Sequence, residues 1–96
     1  MDTLLLEQVT ALFKQSTPTY LGQIRYAIME RDSLALEKCV HTLLGSFGMF
    51  GAHRAREIAM TLQAAAQSQN FEEAERLLTE LDHETGRIYA AIAAGS

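Results

Sequence analysis

Apolar residues recur at intervals of three and four along most of the chain, which is the spacing of one face of an α-helix. The pattern is clearest in the last third of the chain, where it runs Phe71, Ala74, Leu78, Leu81, Thr85, Ile88 and Ile92. No window alternates apolar and polar residues as a half-buried strand does. The pattern therefore predicts an all-α chain.

Capping and breaking residues divide the first third into two predicted helices. The first covers about residues 3–14 and is capped by Asp2. Its inward positions are Leu5, Leu6, Val9, Leu12 and Phe13. The second has Thr17 as its N-cap and Pro18 in the first helical position, where the missing N–H costs little. It runs to about Glu30, and its apolar positions are Leu21, Ile24 and Ile28.

Three further helices follow. The third is capped by Asp32 or Ser33 and ends at Gly51, a residue type that favours the left-handed conformation after a helix. The fourth covers about residues 52–67, and Asn70 caps the fifth. Because all connections are short, sequential helices are antiparallel. The expected architecture is an antiparallel up-down four-helix bundle with a short extra N-terminal helix.

Composition adds limits to this picture. We expect one domain spanning residues 1–96, since the chain is 48% apolar with a single proline. The net charge of −4 argues against nucleic acid as a partner, because phosphates need a basic face. One cysteine excludes an internal disulfide. No apolar run approaches a membrane span, so we expect a cytoplasmic chain without direct membrane contact, either a free protein or a cytoplasmic piece of a larger one. We also expect it to be a monomer.

The third predicted helix places a histidine opposite its core face. At roughly 100° per residue, the apolar stripe falls on the far side from His41. That stripe consists of Leu36, Cys39, Leu43, Phe47 and Phe50. His41 is therefore expected to face solvent. The residues that share its side of the helix are Leu34, Glu37, Lys38, Leu44, Gly45 and Gly48.

Two glycines on this face call for a physical reason. Gly45 lies one turn after His41 and Gly48 two turns after, and each costs on the order of 1 kcal/mol relative to alanine. The simplest reason is access, because a bulky partner can then approach the imidazole closely. The alternatives are that the glycines mark a tight helix crossing and that His41 is an ordinary surface histidine.

The order of these residues resembles a known family. The stretch HTLLGSFGMFG carries His41, Leu43, Gly45 and Gly51, and Ala52 follows. It is similar to the histidine phosphotransfer (HPt) pattern H-x-L-K-G, then five residues, then glycine. The resemblance extends over almost the whole chain, including DSLALEKCVHTLLGS and EEAERLLTELDHE.

The resemblance implies a phosphocarrier rather than an enzyme. Domains of this family take a phosphoryl group from a receiver-domain aspartate onto a histidine and pass it to another receiver. His41 matches the phosphoacceptor. Gln63 matches a Gln or Glu that orients the imidazole, and Glu37 is a second candidate for that role. Implied partners are response-regulator receiver domains and a hybrid sensor kinase. No cofactor is expected on this chain, since Mg²⁺ belongs to the receiver.

One position departs from the pattern. The residue three after the histidine is usually lysine in this family, and here it is Leu44. Lys38 lies on the same face and offers a partial substitute, whereas the directions of Arg54 and Arg56 do not follow from the sequence. Leu44 can instead extend an apolar patch with Leu34. This leaves an alternative function, a helical module that docks receiver domains without phosphoryl chemistry.

Other candidate sites are weaker. Cys39 and His41 fall on different faces of one helix and cannot share a metal ion. The histidines have no i, i+4 partner among cysteines and histidines, which disfavours a metal site. Cys39 is expected to be a small buried apolar residue. Met49 and Met60 are expected to fill space inside the bundle.

Overall fold

Four α-helices account for almost all of the chain that the structure describes. The structure is a computed structural model that describes residues 3–95, except the side chains of Thr3, Leu5, Leu6 and Val9. The helices are α1 (Thr3–Met29), α2 (Ser33–Phe50), α3 (His53–Gln67) and α4 (Phe71–Gly95). No strand occurs in residues 3–95. The predicted all-α four-helix bundle is confirmed.

The helices pack in a ring. α1 and α3 each contact both α2 and α4, so α2 and α4 occupy opposite corners of the bundle. The core draws on all four helices and is apolar except for two buried threonines, Thr17 and Thr85. Its largest fully buried apolar side chains are Phe47, Ile24, Leu36, Leu43, Leu62, Leu81 and Val40. α2 therefore has one face in the core and the opposite face free for other uses.

The three turns share one hydrogen-bond pattern. A left-handed residue follows each of the first three helices, with φ of 56° at Arg31, 78° at Gly51 and 57° at Gln69. The next amide then donates to a carbonyl five residues back, which is the Schellman arrangement. These bonds are Asp32 to Ala27, Ala52 to Phe47 and Asn70 to Ala65, each 2.9 Å. Such short turns keep successive helices antiparallel.

Two of the following helices begin at the predicted caps. The Asp32 carboxylate accepts a hydrogen bond of 3.1 Å from the Ala35 amide at the start of α2. The Asn70 side-chain oxygen accepts one of 3.2 Å from the Glu73 amide at the start of α4. Each satisfies one of the amides that a helix leaves unpaired at its N-terminus.

α1 is continuous, so the predicted boundary at Thr17 and Pro18 is wrong and no separate N-terminal helix exists. The buried positions of α1 keep one helical phase through the proline. They are Phe13, Thr17, Leu21, Ile24, Ala27 and Ile28. Thr17 is thus a buried member of this stripe and not an N-cap.

Packing on both sides of Pro18 explains why α1 does not break. Before the proline, the Phe13 ring stacks on Phe50 at 4.6 Å and meets the Tyr89 ring at 5.8 Å. After it, Ile24 is fully buried. Pro18 leaves the Lys14 carbonyl without its helical donor, but both residues are exposed, so water can replace that bond.

The inward positions predicted for the first helix are only partly correct. Phe13 is buried, but Leu12 is 60% exposed. The buried stripe runs through Phe13 and Thr17. Leu12 precedes Phe13 by one residue, so it is rotated out of the core by about 100°. The Asp2 cap and the side chains of Leu5, Leu6 and Val9 lie outside the described residues.

None of the helices in residues 3–95 combines the length and the apolar content that a membrane crossing requires.

Candidate functional site

α2 has two unlike faces, as its periodicity predicts. The core face contains Leu36, Val40, Leu43 and Phe47, all buried. Cys39 and Phe50, assigned to the same side, are half-buried at its margins. His41 lies on the opposite face and is exposed. An imidazole in this position is accessible to a macromolecular partner.

His41 stands between two shallow depressions, and Gln63 of α3 stands beside it. The first depression, of about 930 Å³, extends toward the start of α2 and includes Leu34, Glu37 and Lys38. We call it the lysine depression. His41 and Gln63 also line a second one, which extends toward the end of α2.

The second depression, of about 480 Å³, is called the glycine depression. The residues that it adds from α2 are Leu44, Gly45, Gly48 and Met49, and those from α3 are Arg56 and Met60. His41 and Gln63 line both depressions, so this pair forms the ridge between them. Every candidate site residue named from the sequence lines one depression or the other.

The two glycines leave open space. A methyl group placed on Gly45 meets no neighbouring atom within 4 Å, and one on Gly48 lies 3.9 Å from Nε of Arg56. No helix backbone therefore packs closely against either glycine, and the alternative that the glycines mark a tight helix crossing is contradicted. Their absent side chains make the depression deeper beside His41, which is consistent with access as the reason for them.

The polar neighbours of His41 come from both helices. Glu37 and Gln63 are half-buried, and Lys38 is exposed. Glu37 and Lys38 lie on the turn before His41, whereas Gln63 reaches the same ridge from α3. Thr42 uses its hydroxyl to bond the Lys38 carbonyl at 3.1 Å, so it is occupied within its own helix. Carboxylate, amide and ammonium groups are therefore all near the imidazole.

Apolar side chains surround this polar ridge. Leu34 is 74% exposed at the lysine depression. At the glycine depression, Met49 is 79% exposed and Met60 is 49% exposed, so their assignment to the bundle interior is wrong. Leu44 is half-buried and packs against the core edge. Flexible, exposed methionines are typical of surfaces that adapt to a partner.

The sequence spacing of three residues of α3 predicts that they share the face beside His41. Arg56, Met60 and Gln63 follow each other at four and three residues, which places them on one face of α3. Gln63 was singled out from the sequence, so the other two were predictable as its neighbours. Met49 likewise follows Gly45 by four residues on α2.

The structure fixes the directions of the two arginines at the start of α3. Arg54 points to α4, where its Nε lies 3.2 Å from a carboxylate oxygen of Glu84. Arg56 points to α2, where its Cδ and Nε lie over Gly48. Only Arg56 of this pair borders the depression that contains His41.

The cysteine lies apart from this ridge. Cys39 is half-buried, and its thiol donates a 3.5 Å hydrogen bond to Oε1 of Gln23 on α1. Burial raises the pKa of the Cys39 thiol, which keeps it protonated and a poor nucleophile at neutral pH. In the part of the chain that the structure describes, no three side chains of the types His, Cys, Asp and Glu group as a metal site.

Comparison with known families agrees with the geometry. The family model described as "Hpt domain" matches residues 8–91, most of the chain. The chain belongs to the Hpt domain family. Hpt domains are phosphocarriers that act by histidine phosphotransfer in phosphorelays, where they interact with receiver domains. No curated protein and no solved structure matches this Hpt domain.

Proposed function

We propose that this Hpt domain is a phosphocarrier in a multistep His-Asp phosphorelay and that His41 carries the phosphoryl group. His41 would accept the group from a receiver-domain aspartate and pass it to a second receiver. The observation that carries the proposal is the exposed His41 on a ridge between two depressions, with open space at Gly45.

The proposed chemistry needs little from this chain. A neutral imidazole nitrogen attacks the phosphorus of the aspartyl phosphate, an N–P bond forms, and the P–O bond breaks to release the carboxylate. The proton of the imidazole stays on the ring nitrogen that does not attack. Mg²⁺ and the acidic pocket would come with the receiver. Transfer from His41 to the aspartate of a second receiver follows the same step in the opposite direction.

Positioning roles are assigned to the polar neighbours. We propose that Gln63, and secondarily Glu37, accepts a hydrogen bond from the protonated ring nitrogen and so orients the other nitrogen outward. Lys38 would offset part of the charge of the phosphoryl group. Gly45 and Gly48 would leave room for the receiver surface.

A receiver domain charged with labelled phosphate tests the proposal. We expect label to move to the wild type and not to His41→Gln, and the label should be lost in acid but kept in base, as a phosphohistidine requires. His53→Gln and His83→Gln are matched controls, because both histidines are exposed and line neither depression. Label that survives in His41→Gln would contradict the assignment.

A second candidate function rests on the apolar ring around His41. Leu44 stands where the family usually has lysine, and Leu34, Met49 and Met60 are all exposed. These favour a module that docks receiver domains without transfer. In that case charged receivers bind the wild type and His41→Gln alike, and neither protein acquires label.

A further inference from the structure

The basic side chains of this protein differ in whether they form ion pairs. Within residues 3–95, four of the eight lysines and arginines pair with carboxylates, and every one of those carboxylates is on α4, while Lys14 of α1 has no such partner. The four paired cations are Arg25, Arg54, Arg76 and Arg87. A fifth, Arg31, lies over the Phe71 ring at 5.3 Å. Since α4 is diagonal to α2, this pairing occurs away from His41.

The cations beside His41 have no such partners. Among the described residues, neither Lys38 nor Arg56 has a carboxylate oxygen within ion-pair distance. They border different depressions, so one lies on each side of the ridge formed by His41 and Gln63. Asp32 and Glu37 also line the lysine depression, whereas no carboxylate lines the glycine depression, so the positive charge beside His41 lies on the side of Arg56.

The side chain of Arg56 lies beside Gly48 of α2. A methyl group placed on Gly48 would be in ordinary van der Waals contact with it, 3.9 Å from Nε and 4.0 Å from Cδ. The aliphatic part of the arginine can pack there while the guanidinium stays in water. Arg54, two residues earlier, turns to Glu84 instead and provides a natural comparison.

We propose that Arg56 is the docking cation for the carboxylates around the phosphorylated aspartate of a receiver domain, in place of the lysine that Leu44 replaces. The inference rests on the proposed function. A charge at the edge of an interface mainly raises the association rate, and salt screens the effect. Arg56 would thus be a specificity-determining residue that selects partners with an acidic pocket.

The test compares the second-order rate of transfer from a charged receiver domain at low and high salt. We expect Arg56→Gln to slow transfer by about tenfold at low salt and by much less at high salt. Arg54→Gln should transfer like the wild type, because its charge is directed to α4. The double variant Arg56→Gln/Leu44→Lys should recover most of the lost rate, since it returns a cation to the same depression.

A small donor separates docking from chemistry at His41. With phosphoramidate, a small anion that presents no carboxylates, Arg56→Gln should lose much less rate than it loses with the charged receiver. An equal loss with phosphoramidate would overturn the inference, and so would equal losses in Arg56→Gln and Arg54→Gln or a loss that salt does not reduce.

The outcomes also distinguish this inference from the function on which it rests. A wild type that accepts label while Arg56→Gln accepts it equally fast at low salt would overturn the role of Arg56 alone. A wild type that accepts label from neither receiver nor phosphoramidate would remove the phosphocarrier function and the inference with it.

Discussion

α1 and α2 both contain residues that oppose a helix, and both are continuous. In α1 the residues are Pro18 and Gly22, and in α2 they are Gly45 and Gly48. All four are exposed, while the opposite face is a buried stripe, described from Phe13 to Ile28 in α1 and from Leu36 to Phe47 in α2. Continuity of a helix in this bundle therefore depends on the packed face. Poor helix formers are tolerated on the opposite face, where they contact only solvent.

The two helices differ in what lies next to those residues. The glycines of α2 border His41, whereas Pro18 lines neither depression of the ridge. The cost of the glycines thus coincides with an accessible histidine, and the cost of the proline coincides with no such group. The position of the α2 glycines agrees with their proposed role in access to His41, whereas Pro18, Gly22 and Gly86 line neither depression.

The largest expected loss of stability comes from a substitution in the packed interface between α1 and α2. Phe47 is fully buried and its ring lies 6.0 Å from that of Phe13, so Phe47→Ala removes a contact between α1 and α2. We expect the free energy of unfolding to fall by about 3–5 kcal/mol, from lost burial and the cavity left behind. Urea unfolding followed by circular dichroism measures this loss.

Met49→Ala is the matched control on the same helix. Met49 is 79% exposed, so its truncation should change the free energy of unfolding by less than about 0.5 kcal/mol. A loss as large as that of Phe47→Ala would mean that the exposed face of α2 is packed and would remove the contrast between its two faces.

An intermediate effect is expected at Pro18. Alanine restores an N–H that can bond the Lys14 carbonyl and relieves the clash of the ring with the preceding turn. Part of this gain is offset because the unfolded chain becomes more flexible. We expect Pro18→Ala to raise the free energy of unfolding by about 1–3 kcal/mol, read from the urea midpoint at an unchanged slope.

This prediction discriminates between the two placements of the proline. At the first position of a separate helix, Pro18→Ala would be neutral or destabilising, because the ring is favourable there. The exposed neighbour Thr19 provides the control, since Thr19→Ala should have a small effect in either case.

The smallest effect on stability is expected at the glycines of α2. Because a methyl group fits at both positions, Gly45→Ala and Gly48→Ala should each raise the free energy of unfolding by about 0.5–1 kcal/mol. Gly86→Ala should do the same, since Gly86 of α4 is also exposed with open space around it. Thermal or urea unfolding of the three variants measures the gains.

The rate of phosphoryl transfer should distinguish Gly45 from Gly86, although the free energy of unfolding does not. The bulkier Gly45→Gln is expected to slow transfer from a charged receiver by about tenfold or more, because small displacements of reacting groups are costly. Gly86→Gln should leave transfer unchanged. Equal transfer rates for both variants would show that the glycines of α2 do not clear the approach to His41.

Most of the fold was predictable from local patterns. The caps at Asp32 and Asn70 and the left-handed Gly51 follow from residue preferences that act within one helix turn. The boundary at Pro18 was not, because local preference favours a helix start and only the contacts of Phe13 with α2 and α4 decide otherwise.

The candidate site divides in the same way. The exposure of His41 follows from the phase of one helix, and so does its opposition to Leu43 and Phe47. The outward Met49 follows from the same phase, since it lies four residues after the exposed Gly45. The course of Arg56 does not, because it depends on how α3 sits against α2, which the apolar spacing of each helix alone leaves undetermined.

The sequence by itself determined that this chain is an all-α bundle, which face of α2 is buried, and that His41 is in solvent, because helical periodicity acts at short range. Only the tertiary structure decided that α1 passes through Pro18 and that Gln63 of α3 lines the same two depressions as His41. It also decided that Arg54 turns to α4 and Arg56 to Gly48. Long side chains take their direction from neighbouring helices, and those neighbours exist only after packing.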